Sequence, residues 1–323
     1  MAFGGSIRMV RILFFISFFL WLLSACTKEV YIDIPSYSEK VVVEGRIYSG
    51  EFPVVLLSLT QNIYAPTDIS NYLASFISDA TVYMTIDNDS IQLVAIPIGQ
   101  LSNEALARVS EILEVEPEEA ILLPISVYTT ENPNFIGTIG KSHRLSIKRN
   151  NDYMYANTML LNTVSLSTLQ WQPEISNISY GRLVASFQDS PNLYDAYYWE
   201  VKRIHLHQGE TIDKCFKRPG GGYMRDKYWN GNLRTLEYGN PLKRKDTTHL
   251  SEYKRYFRVG DQVVIKFSKI EYEIYEFFRT RREQIENQGS PFASPLNVKS
   301  NIVGNAVGIW AGFSSYYDTI LCQ

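Results

Sequence analysis

The sequence predicts a mainly β protein, and three observations carry that prediction. Tyr (22) and Phe (16) are abundant, and with the many Val, Ile and Thr runs they suit the pleated, half-buried surface of a sheet. Apolar and polar residues alternate over short stretches. Ala80, Val82, Met84 and Ile86 share one face, and Thr81, Tyr83 and Thr85 share the other, which is the period of a strand. These stretches are separated by turn-forming runs such as Asp87-Asn88-Asp89-Ser90 and Asn150-Asn151-Asp152, whose short polar side chains hydrogen-bond their own backbone.

In chain order, Val41 to Ile47 reads as a strand broken at Gly45, and Val54 to Thr60 follows a turn at Gly50–Pro53. Residues 80–86 and 91–96 form a hairpin. Residues 101–120 depart from the β pattern: Leu106, Val109, Ile112 and Leu113 fall at helical spacing, Ser102 is placed to cap the start, and Glu114, Glu116, Glu118 and Glu119 crowd the end. This predicts a helical insertion that covers an open sheet edge, with partner contact as the alternative. Strands at 145–148 and 153–156 close a first domain, 40–160. The second, 161–323, has strands at 182–188, 196–204 and 262–267 around a long polar region, 209–250, that contains Pro219-Gly220-Gly221-Gly222. Ser268-Lys269-Ile270-Glu271 has the spacing of a capping box. Ile270, Ile274, Phe277, Phe278 and Ile285 then make an apolar helical stripe, and Gly289 and Pro291 end it. The prediction is one long amphipathic helix toward the C-terminus. The segment from Asn297 to Leu321 is strand-like, and Gly304, Gly308 and Gly312 mark bulges or a close backbone approach.

The chain has 323 residues, 45% of them hydrophobic and 20% charged, enough for two ordinary domains. Arg8 and Arg11 precede an apolar run from Ile12 to Leu23, interrupted by Ser17 and ending in Leu23-Ser24-Ala25-Cys26. That run suits a signal peptide and is short for a bilayer-spanning helix. A large residue, two small ones and a cysteine form the lipobox cut by the bacterial lipoprotein peptidase. Residues 1–25 are therefore expected to be removed, Cys26 lipidated and 26–39 a tether; an ordinary secretory signal is the alternative. Several acyl chains anchor a protein firmly where one would not. The mature chain keeps 29 basic and 34 acidic side chains and lies near −5, which gives no electrostatic reason to expect nucleic acid. In an oxidising compartment Cys215 and Cys322 could pair as a disulfide or stand as two buried thiols.

Motifs of chemistry are scarce. His205 and His207 alternate along a strand and share a face that could hold a metal, but no Cys or HExxH pattern completes a site, so strand residues are the expectation and no metal is assigned. There is no Gly-x-Ser-x-Gly elbow, P-loop or dinucleotide fingerprint. Asp189 and Asp195 read as turn residues. The expectation is a protein that is not an enzyme, with no cofactor.

Several segments in order carry a resemblance: the lipobox at Cys26; Val42-Val43-Glu44-Gly45; Ser78-Asp79-Ala80-Thr81-Val82; Tyr197-Tyr198; Asp226 with Asn230-Gly231; Pro291-Phe292-Ala293-Ser294-Pro295; Asn301-Ile302; Gly304; and Gly308-Ile309-Trp310. Over nearly the whole mature chain this resembles the Bacteroidetes outer-membrane lipoproteins gathered as domain of unknown function 4249. Lys28-Glu29 after the lipidated Cys is similar to the surface-export signal of Bacteroidetes lipoproteins. Ser290 and Trp310 stand where Asn and Phe are usual, and the 101–120 insertion is atypical. The resemblance implies an N-terminal immunoglobulin-like or transthyretin-like β-sandwich followed by a second β-rich domain. It also implies a role beside a TonB-dependent outer-membrane receptor, and it carries over no catalytic residues. The leading expectation is a surface-facing accessory or ligand-binding partner of that receptor, with Tyr223, Tyr228, Trp229 and Tyr238 of the long loop as candidate contact surface and local packing as the alternative use of those aromatics. An adhesion or structural envelope protein and an unrecognised hydrolase are the competing classes.

Overall fold

The computed structural model describes residues 38–61, 68–191, 194–207, 210–241, 251–287 and 297–323. The signal segment 1–25, Cys26, the tether to residue 37 and the Pro291–Pro295 run lie outside them. The strands are β1 (Val41–Tyr48), β2 (Val54–Leu59), β3 (Thr81–Ile86), β4 (Asp89–Pro97), β5 (Ser126–Thr129), β6 (Ser142–Arg149), β7 (Asp152–Met159), β8 (Thr168–Glu174), β9 (Asn177–Gln188), β10 (Ala196–Arg203), β11 (Leu206–His207), β12 (Glu210–Thr211), β13 (Tyr223–Arg225), β14 (Leu233–Tyr238), β15 (Phe257–Arg258), β16 (Gln262–Ile270) and β17 (Ala306–Leu321). The helices are α1 (Ile69–Ala74), α2 (Asn103–Leu113), α3 (Pro117–Ala120) and α4 (Tyr272–Glu286). The protein is mainly β, as the composition and alternation predict.

Eleven strands form one sheet in the order β13-β10-β16-β17-β1-β2-β5-β4-β3-β6-β7. Every pairing in it is antiparallel except β1 with β17. Residue 160 does separate β7 from β8, yet the last strand returns to pair with the first. Residues 39–323 form one compact unit. In the first half, Val43, Leu57, Met84, Leu145, Met154 and Trp310 meet in one buried cluster, so strands from both ends of this run of the sheet share a core. In the second half, β8, β9, β14 and β15 make a smaller sheet. Leu183, Phe187, Tyr238 and Phe257 from it pack against Tyr197, Trp199, Ile265 and Phe267 of the large sheet.

Four local expectations are corrected. Gly45 does not break its strand: β1 runs through it, and a Cβ there would lie 2.6 Å from the Trp310 ring. The bare backbone makes room for the indole, whose Nε1–H donates to the His143 carbonyl at 2.9 Å. The insertion does not guard a sheet edge. Leu106, Val109 and Ile112 of α2 pack on Val54, Leu56 and Val127 of interior strands, covering a face. Ser102 does cap α2, its Oγ accepting from the Ala105 N–H at 3.2 Å. The capping box at 268–271 is not one: Ser268 to Ile270 continue β16, and Ser268 Oγ bonds Ser315 Oγ at 2.8 Å. Strand pairing with β17 takes those residues, and α4 starts three residues later than the motif suggests. The helix buries Ile274, Phe277 and Phe278 but leaves Ile285 of the expected stripe exposed.

Gly308 fits the close approach expected of the C-terminal glycines. Its φ is +119°, and a Cβ would meet the Val43 carbonyl oxygen at 2.0 Å. The parallel β1–β17 pairing needs glycine at that point.

Candidate functional site

Alternation places a row of polar and charged side chains on one face of the central strands. In β10, Tyr197, Trp199 and Val201 point to the small sheet, which turns Tyr198 and Glu200 the other way. The same rule on β16 turns Lys266 and Ser268 to that side, while Val263, Ile265 and Phe267 face the core. On β1, Arg46 and Tyr48 lie on the face opposite Val43 and Ile47. Glu200 and Lys266 are directly opposite partners across the β10–β16 pair. Helix α2 supplies Arg108 and Glu111 from above, and α4 covers the other flank through Phe278.

These groups form a buried ionic network. Lys266 Nζ sits 2.8 Å from Glu200 and 3.4 Å from Glu111. Arg108 takes Glu111 through Nη1 at 2.8 Å and both oxygens of Glu51 at 2.5 and 2.6 Å. The faces of Tyr48 and Phe216 lie 4.4 Å from the Lys266 ammonium, and Tyr48 also lies 4.7 Å from the Arg108 guanidinium. Such cation–ring contacts gain strength where water is excluded. Burial pushes the Glu200 carboxyl above the usual range against the pull of Lys266, with Glu111 adding to the rise. Burial would raise Glu111 too, but Lys266 and Arg108 outweigh it and hold that carboxyl below its ordinary value. The two acids share one lysine and are driven apart, because like charges so close disfavour each other's ionised form.

Two hollows open beside this network. The outer one, about 580 Å³, lies under the first turns of α2 and is lined by Glu51, Phe52, Arg108, Thr130 and Lys202. The inner one, about 390 Å³, lies between the end of α2 and α4 and is lined by Arg46, Tyr198, Glu200, Arg218 and Phe278. Glu111, Cys215 and Phe216 belong to both walls. Both volumes fall in the range of small-molecule sites. The segment around Phe216 is fixed on each side: Asp213 takes the buried Arg203 in a double contact at 2.8 and 3.0 Å, Phe216 N–H donates to Glu111 at 3.1 Å, and Lys214 pairs with Glu118.

The residues singled out from the sequence fall mostly elsewhere. Cys215 and Cys322 are two free, buried thiols. Cys215 stands at the hollows and Cys322 in the core with Phe257 and Ile265. Burial pushes their pKa values up to about 11 and about 12. Of the loop aromatics, Tyr238 is buried against Trp199 at 4.8 Å between ring centres, Trp229 packs on Phe187 and Tyr197, and Tyr223 reaches Tyr275 and Phe278. Tyr228 is 81% exposed. Local packing therefore takes three of the four. His205 lies 3.4 Å from Asp261, the side chain of His207 and all of His249 lie outside what is described, and His143 is buried against Thr138. Among the described residues, no group of three or more His, Cys, Asp or Glu is placed to hold a metal.

Asp189 and Asp195 do more than form a turn. Both are buried, with Asp226 beside them. Asp189 accepts from the Tyr197 hydroxyl and from the Gly231 N–H at 2.7 Å, Asp195 pairs with Lys269 at 2.5 Å, and Asp226 accepts from the Asp195 N–H at 2.9 Å. They pin the Asn230-Gly231 turn to β10 and β16.

The cleft residues escaped sequence reasoning, but a signal for them existed. Glu200 and Lys266 are single charges at alternating positions within otherwise apolar strands, Tyr197-Tyr198-Trp199-Glu200-Val201 and Val263-Val264-Ile265-Lys266-Phe267. Charges so placed are buried only when paired. No curated protein matches the sequence. The model of the family described as domain of unknown function (DUF4249) matches residues 27–317, and the chain belongs to that family.

Proposed function

We propose that this protein is a lipid-anchored outer-membrane lipoprotein of the Bacteroidetes type that binds a ligand without transforming it, as an accessory of a TonB-dependent nutrient transporter. The observation that carries the binding part is the cleft. Its acids, the buried Glu111 and Glu200 and the half-buried Glu51, are all committed to Arg108 or Lys266, so its walls are fixed before any ligand arrives. Prior ordering of this kind lowers the entropic cost of binding. The lipobox ending at Cys26 supports the anchor, and Lys28-Glu29 after it supports the surface location. Tyr228, the exposed aromatic of the long loop, is the part of the expected contact surface open to a partner. In this reading residues 40–160 are the immunoglobulin- or transthyretin-like sandwich and residues 161–323 bring the remaining walls of the cleft.

Crosslinking of the full-length lipoprotein in its native membrane, followed by purification and mass spectrometry, tests the partnership. Stoichiometric recovery of a TonB-dependent receptor is the expected result. Recovery of the lipoprotein alone would remove the transporter role and leave an independent binding or adhesion protein.

A further inference from the structure

We propose that the inner hollow binds a monocarboxylate, with Arg46 and Arg218 reading the carboxylate and an apolar body resting against Phe216 and Phe278. This rests on the reading of the cleft as a binding site and adds the ligand's chemistry.

Arg46 is the main observation. It lies on β1 in the interior, 8% exposed, and lines the hollow. Among the described residues no carboxylate lies within ion-pair distance of it. Its contacts are a long 3.4 Å hydrogen bond from Nη1 to the Tyr48 hydroxyl and two rings, Phe278 and Phe313, at 5.8 and 5.9 Å. Aromatic rings interact with the faces of a guanidinium and leave its N–H edge open to an acceptor. Arg46 feels the charge of Glu200, but that carboxylate is paired with Lys266; a buried charge without an anion of its own is costly, and proteins keep one where an anion arrives.

Two more groups point the same way. Arg218 lines the same hollow, rests over Tyr223 at 4.8 Å and has the Pro219 carbonyl at 3.4 Å as its acceptor, again with no carboxylate among the described residues. The Tyr198 hydroxyl lines it too, with no hydrogen-bond partner among the described residues; burial and the Glu200 carboxylate hold its proton on against the pull of Arg46 and Arg218, so it stays a donor. The other cations of the hollow differ. Arg282 is held by Glu286 at 2.6 Å, Arg281 by Glu44 at 3.4 Å and Lys217 by Asp213 at 3.0 Å.

The acids set the charge of the guest. Glu111, Glu114, Glu116 and Glu200 also line the hollow, so a doubly charged phosphate would be repelled where a single carboxylate is accepted. A planar carboxylate matches the guanidinium fork in two parallel bonds. Phe216, Phe278, Val115 and Ile285 supply the apolar wall.

The test is calorimetric titration of the mature protein with octanoate, octan-1-ol and octyl phosphate, repeated on Arg218→Met and Arg46→Met. Expected is saturable binding of octanoate, weaker binding of the alcohol and the phosphate, and a loss of at least about tenfold in octanoate affinity in each variant. Arg218 is only partly buried, so Arg218→Met keeps the test open if Arg46→Met does not fold. Equal binding of octanoate and octan-1-ol, or unchanged octanoate affinity in Arg218→Met, would overturn the carboxylate assignment and leave a binding cleft. No heat with any of the three would overturn both the assignment and the cleft as a site for such ligands.

Discussion

Lys266 is wholly buried, and two carboxylates depend on it. Replacing it by Met keeps the length of the side chain but leaves Glu200 and Glu111 facing each other without their shared cation. Breaking a buried pair on one side costs about 3–5 kcal/mol, and Lys266→Met should lose stability on that scale in urea denaturation. Adding Glu200→Gln should recover part of the loss, because the remaining acid, Glu111, still has Arg108. His143 gives a pH prediction. Burial holds its pKa below the ordinary value of about 6.5. Its Nε2 accepts from the Thr138 N–H at 3.1 Å, which puts the proton of the neutral ring on Nδ1. The folded state binds a proton less readily than the unfolded chain, so this stability is full above pH 6.5 and is lost as pH falls through the lower, folded value. The Asp213 carboxyl, held down against burial by Arg203, adds a second loss at more acidic pH. His143→Gln should flatten the first fall and leave the second, as read from denaturation midpoints between about pH 7 and about pH 2.

At the scale of elements, Glu271 links α4 to the first half of the sheet. Its Oε2 accepts from the Thr158 hydroxyl at 2.8 Å and the Met159 N–H at 2.9 Å, both at the end of β7. Glu271→Ala strands two donors and should cost about 1–3 kcal/mol; Glu271→Gln, which keeps an acceptor oxygen, should cost less in the same urea titration. This residue shows how far the sequence could be read. The capping-box spacing puts the helix start at Ser268, whereas the helix is capped at Glu271 itself and begins at Tyr272. Its partners are more than a hundred positions away, and no local spacing reveals them. The same holds for the site. The strands carrying Arg46, Glu200 and Lys266 were legible from their period, as was the Ser102 cap of α2. What was not legible was which face of each strand meets which helix, because four segments far apart in sequence converge there. The loop aromatics have two readings in the sequence, contact surface or local packing, for a related reason. Tyr and Trp in a polar stretch look free to meet a partner, yet Trp229 and Tyr238 complete the core under the small sheet, because a large aromatic gains most from burial wherever a sheet face lies open.

Across the whole molecule, β17 decides whether the two halves are separable. It pairs with β1 along eight residues in parallel and with β16 in antiparallel, and it places Trp310 in the first core and Phe313 beside α4. Each half therefore owns one side of the same strand. Independent unfolding would require β17 to leave one neighbour while keeping the other, exposing either the Trp310 or the Phe313 cluster. The expectation is that regions far from β17 on each side, β6–β7 and β9–β14, lose structure in one transition. Gly308→Ala provides the perturbation. Its φ of +119° and the 2.0 Å approach to the Val43 carbonyl oppose any side chain, and strain of this type costs on the order of 2 kcal/mol or more. If β17 couples the halves, hydrogen exchange in Gly308→Ala should accelerate by similar factors in β6–β7 and in β9–β14, about thirtyfold for 2 kcal/mol in amides that open only by global unfolding. Acceleration confined to the β1 side would mean that the second half holds β17 by itself. The cleft, whose walls come from β1, β10, β16 and α2, would then lie across a joint able to open.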